Sequence, residues 1–237
     1  LLQAAASAIS SAKKRLQAEV KLQQELSKSQ LLKEISDNIR AEFDPQSILN
    51  TAIQHIGEAL NVSRGAIISY TSSPIFQTAA FCEYLAPGYS SIVDKDTDKS
   101  SPLDNPYFNL VLSQDSAVAT DDVEKEPLLE DALDKCRRFN IKSMLAIRTS
   151  YQGEANGIIC LHQADLQRRW TISEVEFLES IAAQLGIALA QANLLKQESL
   201  ARRRLEEEVN NRRRAEAALK KSESQYRLLV ETSQDII

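Results

Sequence analysis

The spacing of apolar positions along this chain switches from helical to strand-like and back, and the switches divide it into parts. From Leu1 to about Phe43, Leu2, Ile9 and Leu16 stand seven apart, and Leu32, Ile35 and Ile39 follow at spacings of three and four among Ala, Gln, Lys and Glu. Such a narrow apolar stripe predicts a helix with one packing face. A second helix has a clear start signal: Asp44 is placed to cap free backbone amides and Pro45 falls at the first helical position. Ile48, Leu49, Ala52, Ile53, Ile56 and Leu60 then share one face. After Asn61 the runs GAIISY (65–70), IFQTAAFCEYL (75–85), AVAT (117–120), SMLAIRTSY (143–151) and NGIICLHQ (156–163) read as strands. The last is nearly all apolar, as a central strand covered on both faces should be. The link Tyr151-Gln152-Gly153-Glu154 is short enough for a hairpin.

Between the second and third of these runs, APGYSSIVDKDTDKSSPLDNP is rich in Ser, Asp, Pro and Gly and predicts a loop. Loops of that length in a compact domain are usually functional lids or mobile segments. Short helices are expected near Tyr107 to Ser113 and Leu128 to Phe139.

The helical period returns from residue 168 onward in a stretch without proline and with Gly186 as its only glycine. One helix from Thr171 to about Ser222 would span roughly 75 Å, so it must leave its own domain and connect to something else. Ile181, Leu185, Ala188, Ala192 and Leu195 alternate at three and four, the spacing of a two-stranded coiled-coil seam. The ten residues from Leu195 to Leu205 break the heptad, as a local change of winding would. The expected dimer interface is therefore Leu2, Ile9, Leu16, Ile35 and Ile39 with Ile181, Leu185, Ala188, Ala192, Leu195 and Leu205. Arg202 with Glu206, Arg203 with Glu207 and Arg204 with Glu208 stand four apart, as on a solvated helix face.

Composition changes this picture little. With 43% hydrophobic and 26% charged residues and a net charge of −5 in 237 residues, the chain reads as a globular cytosolic protein with no signature of nucleic-acid binding. No apolar run approaches the roughly 20 residues of a membrane span. The chain starts at Leu1 and stops at Ile237 in an apolar segment, which reads as a piece of a larger protein. Cys82, Cys136 and Cys160 are odd in number and lack metal-type spacing, so buried free thiols are expected. No P-loop, nucleophile elbow or helical histidine pair is present, and no catalysis is assigned to the chain itself.

The order helix, strand pair, variable loop, helix, hairpin and exit helix, closing on GIICLHQ and RRWTISEVEFLESIAAQLGIALAQANLL, resembles a GAF domain over about Leu31 to Lys196. It is especially similar to the GAF domains of cyanobacterial multidomain sensor histidine kinases. SESQYRLLVETSQDII (222–237) is similar to the opening of a PAS domain. The resemblance implies an α+β GAF fold: an antiparallel sheet of five or six strands flanked by helices, with long N- and C-terminal coiled-coil signalling helices. The expected division is an N-terminal signalling helix (1–43), a GAF core (44–170), an exit helix and linker (171–221) and the start of a truncated PAS domain (222–237).

The resemblance also implies a small-molecule pocket on one side of the sheet, with Tyr70, Phe81, Phe108, Cys136, Phe139, Met144 and His162 as candidate lining. The same residues would serve equally as core, and both readings stand. Bilin-binding relatives carry a cysteine on the helix before the strand at Ser143; that place falls near Asp131 and Ala132, and Cys136 lies on the same helix about a turn and a half later. Covalent bilin is therefore disfavoured, and no cofactor is predicted. The Asn, Lys and Phe members of the cyclic-nucleotide signature are absent from Leu161-His162 and Trp170 to Glu174. Neutral imidazole suits haem iron, but His55 and His162 read better as packed histidines, with His162 sharing a strand face with Ile158 and Cys160. Trp170 is expected to be a structural plug. The expected role is a homodimeric sensory and relay module coupled to downstream PAS and kinase domains of the same chain. A ligand-free dimerisation scaffold and a tetrapyrrole photoreceptor are its rivals.

Overall fold

Asp44 starts the first helix of the computed structural model as its sequence signal requires. Its carboxylate accepts the Ser47 N–H at 3.2 Å, Pro45 opens the helix, and α1 runs Pro45–Leu60. All six apolar residues predicted for one face are buried. Asn61 ends the helix in the left-handed region, φ 48°, with its N–H on the Glu58 carbonyl. The structure describes residues 44–71, 77–92 and 105–234, together with Gln23, Leu26, Ser29, Gln30, Lys33, Glu34 and Asp37. The expected interface positions Leu2, Ile9, Leu16, Ile35 and Ile39 lie outside the described residues.

Five strands follow: β1 (Arg64–Thr71), β2 (Gln77–Leu85), β3 (Val118–Thr120), β4 (Ile141–Tyr151) and β5 (Glu154–Ala164). They form one antiparallel sheet in the order β2-β1-β5-β4-β3. The nearly all-apolar run is thus the middle strand. The β4–β5 hairpin turns on Gln152 and Gly153, both at positive φ (53° and 85°), the requirement of a tight two-residue turn that matches strand twist. Between β2 and β3 lies α2 (Pro106–Ser113), capped by Asn105. Between β3 and β4 the chain makes two 3-10 turns, Val123–Lys125 and Pro127–Ala132, and then α3 (Leu133–Arg138).

Helix α4 runs Ile172–Gln234, past the Ser222 end expected from sequence. The chain divides into two units, Leu1–Ala192 and Asn193–Ile237. Within the first, α1 and the opening turns of α4 cover one face of the sheet and share a core with Ile67, Leu145, Ile147, Ile159 and Leu161. That packing corrects the expected dimer seam. Ile181, Leu185 and Ala188 are 0% exposed and Ala192 3%, all inside the core of their own domain. A helix laid on a sheet repeats at the same three and four as a coiled-coil seam, and only the partner tells them apart. In the second unit, Leu195 (42%) and Leu205 (62%) are exposed, and Arg202–Glu206 and Arg212–Glu216 pair at 3.1 and 3.2 Å.

Among the described residues, α4 also holds one 18-residue window with mean hydropathy 1.2, long and apolar enough by composition to cross a membrane. Its apolar side from Leu178 to Ala192 is packed against the sheet, as in the core helix of a globular domain.

Candidate functional site

The second face of the sheet carries a separate buried cluster beneath α2, the 3-10 turns and α3. Tyr70 of β1, Met144 and Ala146 of β4, and Ile158 and Cys160 of β5 meet Tyr107 and Val111 of α2, Leu129 and Cys136 there. Of the seven predicted pocket residues, Tyr70, Cys136 and Met144 belong to this cluster, and half-buried Phe108 and Phe139 pack against it. His162 is buried on the same face, directly across β4–β5 from Met144. Phe81 is the exception. It pairs with Ile68 on the edge strand and is half-buried outside the cluster, because no strand lies beyond β2 among the described residues.

Two buried residues were missed by sequence reading. Tyr107 is fully buried, its hydroxyl 3.3 Å from Thr120 Oγ1 and 3.4 Å from the Val118 carbonyl. The Asn105-Pro106 helix start just before it was the available signal. Arg64, at the head of β1, is buried; its Nε donates to the Ser90 carbonyl at 2.8 Å and its Nη1 to the Phe139 carbonyl at 2.9 Å. No local pattern announces that burial.

Electrostatically the face is set against charge. Burial, with help from the Cys160 thiol, raises the Tyr70 hydroxyl to about 12. Burial also pushes up the Cys136 and Cys160 thiols, so all three groups stay protonated. His162 goes the other way, from 6.5 to about 4, through burial first and then the positive charges of Arg64 and Lys135. The ring is therefore neutral, with Nε2 3.2 Å from Cys160 Sγ and Nδ1 without a partner among the described residues. A histidine that charges more readily unfolded than folded loses stability on acidification. The contribution is complete above pH 6.5 and is lost as the pH falls from 6.5 toward 4. We expect His162 to give a slope of about 1.4 kcal/mol per pH unit in that window. Urea denaturation at several pH values, compared with His162→Gln, checks it: the variant should flatten the slope, and an unchanged slope would assign it to other groups.

At the start of α4 a second polar group ties the helix to the sheet. Arg168 donates to the Leu60 carbonyl (2.7 Å), the Asn61 carbonyl (3.2 Å) and Gln163 (3.1 Å), pairs with Glu174, and lies 4.6 Å over the Trp170 ring. Thr171 and Glu174 form a reciprocal capping box, Glu174 N–H to Thr171 Oγ1 and Thr171 N–H to Glu174 Oε2. Trp170 is buried in the core below α4, and its backbone N–H donates to Asp121. An open groove of about 430 Å³ lies on this same side of the sheet, between the end of β4 and α4, lined by Ile147, Ser150, Tyr151, Ala183 and Ile187. It is on the opposite side from the His162 cluster.

Comparison with known proteins agrees with this architecture. The sequence profile of the GAF domain matches residues 44–189. The chain is 26% identical over 219 residues to the circadian input-output histidine kinase CikA of Thermosynechococcus vestitus (strain NIES-2133 / IAM M-273 / BP-1), covering 87% of this chain and 29% of that protein. It is 25% identical over 196 residues to a putative methyl-accepting chemotaxis protein of Synechocystis sp. (strain ATCC 27184 / PCC 6803 / Kazusa), covering 78% of this chain and 18% of that protein. The chain thus spans less than a third of the length of either relative. Among solved structures, the phycoerythrobilin-bound GAF domain from a cyanobacterial phytochrome superposes with a TM-score of 0.59 at 17% identity, over 73% of this chain and 99% of that one. The profile match, the five-stranded sheet and the helices on both its faces show that the chain belongs to the GAF domain family.

Proposed function

We propose that the chain is the sensory and dimerisation GAF module of a cytoplasmic signal-transduction histidine kinase, relaying the state of its pocket face through α4 to PAS and kinase domains further along the same chain. The observation that carries this reading is the double role of β5. Ile158 and Cys160 on one face join the candidate pocket cluster, while Ile159 and Leu161 on the other join the core beneath α4. A change in packing on the pocket face is thereby one strand away from the helix that continues beyond the domain. Ligand drives such a relay only if it binds two packings with different affinity. The similarity to a histidine kinase supports the output, and the exposed Ile187, Leu194 and Leu205 of α4 offer apolar surface for pairing with a second copy.

The likeness to bilin-bound domains supports a second reading, a tetrapyrrole photoreceptor. The residues do not fit a thioether-linked chromophore. Asp131 and Ala132 stand where the attachment cysteine is expected, and Cys136 is 6% exposed, with its thiol held protonated by burial. We expect the chain, produced with bilin and haem available, to be colourless and to show twice its 26.4 kDa mass by light scattering. A monomer would remove the dimeric relay, and a visible absorption band would transfer the assignment to the photoreceptor reading.

A further inference from the structure

The end of α1 and the start of α4 meet at one side chain. Arg168 sends Nη1 to the Asn61 carbonyl (3.2 Å) and Gln163 Oε1 (3.1 Å), and Nη2 to the Leu60 carbonyl (2.7 Å) and Glu174 Oε1. Each Nη carries two protons, so all four are committed. Leu60 and its cap Asn61 close α1, where carbonyls lack partners inside the helix and the helix dipole is negative. Glu174 stands in the first turn of α4, where a carboxylate is favoured. The guanidinium thus bridges the negative end of one helix and the acid at the positive end of the other. Among the described residues no other hydrogen bond or ion pair links these two helices.

Both ends of this bridge are themselves held. On α4, Glu174 Oε2 accepts the Thr171 N–H at 2.8 Å and the Thr171 hydroxyl at 2.9 Å while Oε1 pairs with Arg168. On α1, the Asn61 N–H reaches the Glu58 carbonyl and the Val62 N–H the Gly57 carbonyl, both at 3.2 Å, so the carbonyls that Arg168 grips belong to a closed helix end. The side chains of Arg168 and Glu174 are each 20% exposed, and the guanidinium lies 4.6 Å over the Trp170 ring. At that depth their attraction is screened less than on the open surface. The chain before the domain also touches α1: His55 Nε2 lies 3.0 Å from Glu34 Oε1.

We propose that Arg168 couples α1 mechanically to α4 and gives the domain an input route that bypasses the pocket face: a displacement of α1 imposed by the chain before it reaches α4 through this guanidinium. Both helices lie on the opposite face of the sheet from the His162 cluster, so the route needs no ligand there. Lysine would not replace Arg168, because an ammonium offers three donors from one point and cannot span two carbonyls, an amide oxygen and a carboxylate. This route and the pocket relay are separate, and either operates without the other.

Native-state hydrogen exchange by NMR on the whole 237-residue chain tests the coupling as a double-mutant cycle. Thr171→Ala perturbs α4 alone, because the exposed Thr171 hydroxyl bonds only to Glu174 and to no group of α1. Loss of this cap should speed exchange at the Asn61 and Val62 amides, at the end of α1, by about fivefold. That acceleration is counted beyond any change at Ile159, whose amide in the middle strand follows overall stability. In an Arg168→Met background, Thr171→Ala should still speed exchange at Val175, in the first turn of α4, and leave Asn61 and Val62 unchanged. A general loss of stability does not produce this difference, since Ile159 corrects for it. Should Arg168→Met fail to fold, Arg168→Lys keeps the charge and the stem without the fork, and transmission should again be lost. Unchanged exchange at Asn61 and Val62 in Thr171→Ala overturns the coupling. Equal acceleration with and without Arg168 overturns it too, and assigns transmission to the apolar core that the two helices share. The pocket relay is judged apart from this result, by mass and absorbance.

Discussion

Gly186→Ala lowers the stability of the protein by about 2–3 kcal/mol, against the direction that helix propensity alone expects. In an exposed helix interior, replacing Gly with Ala gains about 1 kcal/mol. At Gly186 a Cβ would lie 2.0 Å from the Ser150 carbonyl oxygen and 2.6 Å from its nitrogen. Both are backbone atoms of β4, so no rotamer relieves the clash, and either α4 or the end of the hairpin must move. The same displacement strains the bond from Asn156 Nδ2 to the Gly186 carbonyl, 2.7 Å long, and with it the Thr149 hydroxyl that Asn156 accepts at 2.8 Å. Urea denaturation of the variant beside the native chain decides the sign. A lower midpoint supports a tight helix-on-hairpin contact, whereas an unchanged or higher midpoint would mean the hairpin yields freely and cannot couple β5 to α4.

That contact shows where the sequence was legible and where it was not. Asp44-Pro45 located α1, Gln152-Gly153 located the β4–β5 turn, and the apolar run through Ile158 to Leu161 identified a strand covered on both sides, because each signal is local. His162 could be placed beside Cys160 and Ile158 from alternation alone, and its contact with Cys160 Sγ follows from that face. The strand order could not be read this way. Nothing near Phe81 says that β2 is an edge strand, so the sequence groups it with Tyr70 and Met144, whereas Tyr107, on a helix seated over the sheet, lies outside that set and is fully buried. The burial of Arg64 has the same origin: its partners, Ser90 and Phe139, lie 26 and 75 residues away along the chain. In the sequence Gly186 is only the single glycine of a long helical stretch, because the Ser150 backbone that requires it arrives from another element.

Leu185→Ala should lower stability by about 3 kcal/mol, and by the same amount at every protein concentration. This separates the two meanings of the three-and-four spacing on α4. Leu185 is 0% exposed in a cluster that includes Ile53 and Ile56 of α1, Ile147 of β4 and Ile159 of β5. Truncation therefore removes buried methyl groups and leaves a cavity that the close-packed surroundings fill only in part. Were Leu185 a knob between two copies, its loss would instead weaken association, and the cost would vanish on dilution by mass action. Urea midpoints for the variant and the native chain, taken at low and high concentration, distinguish the cases, with light scattering to report the mass at each. A constant difference places Leu185 in the core of its own domain. A difference confined to high concentration would restore it to an interface and remove the helix-on-sheet packing through which a relay must pass.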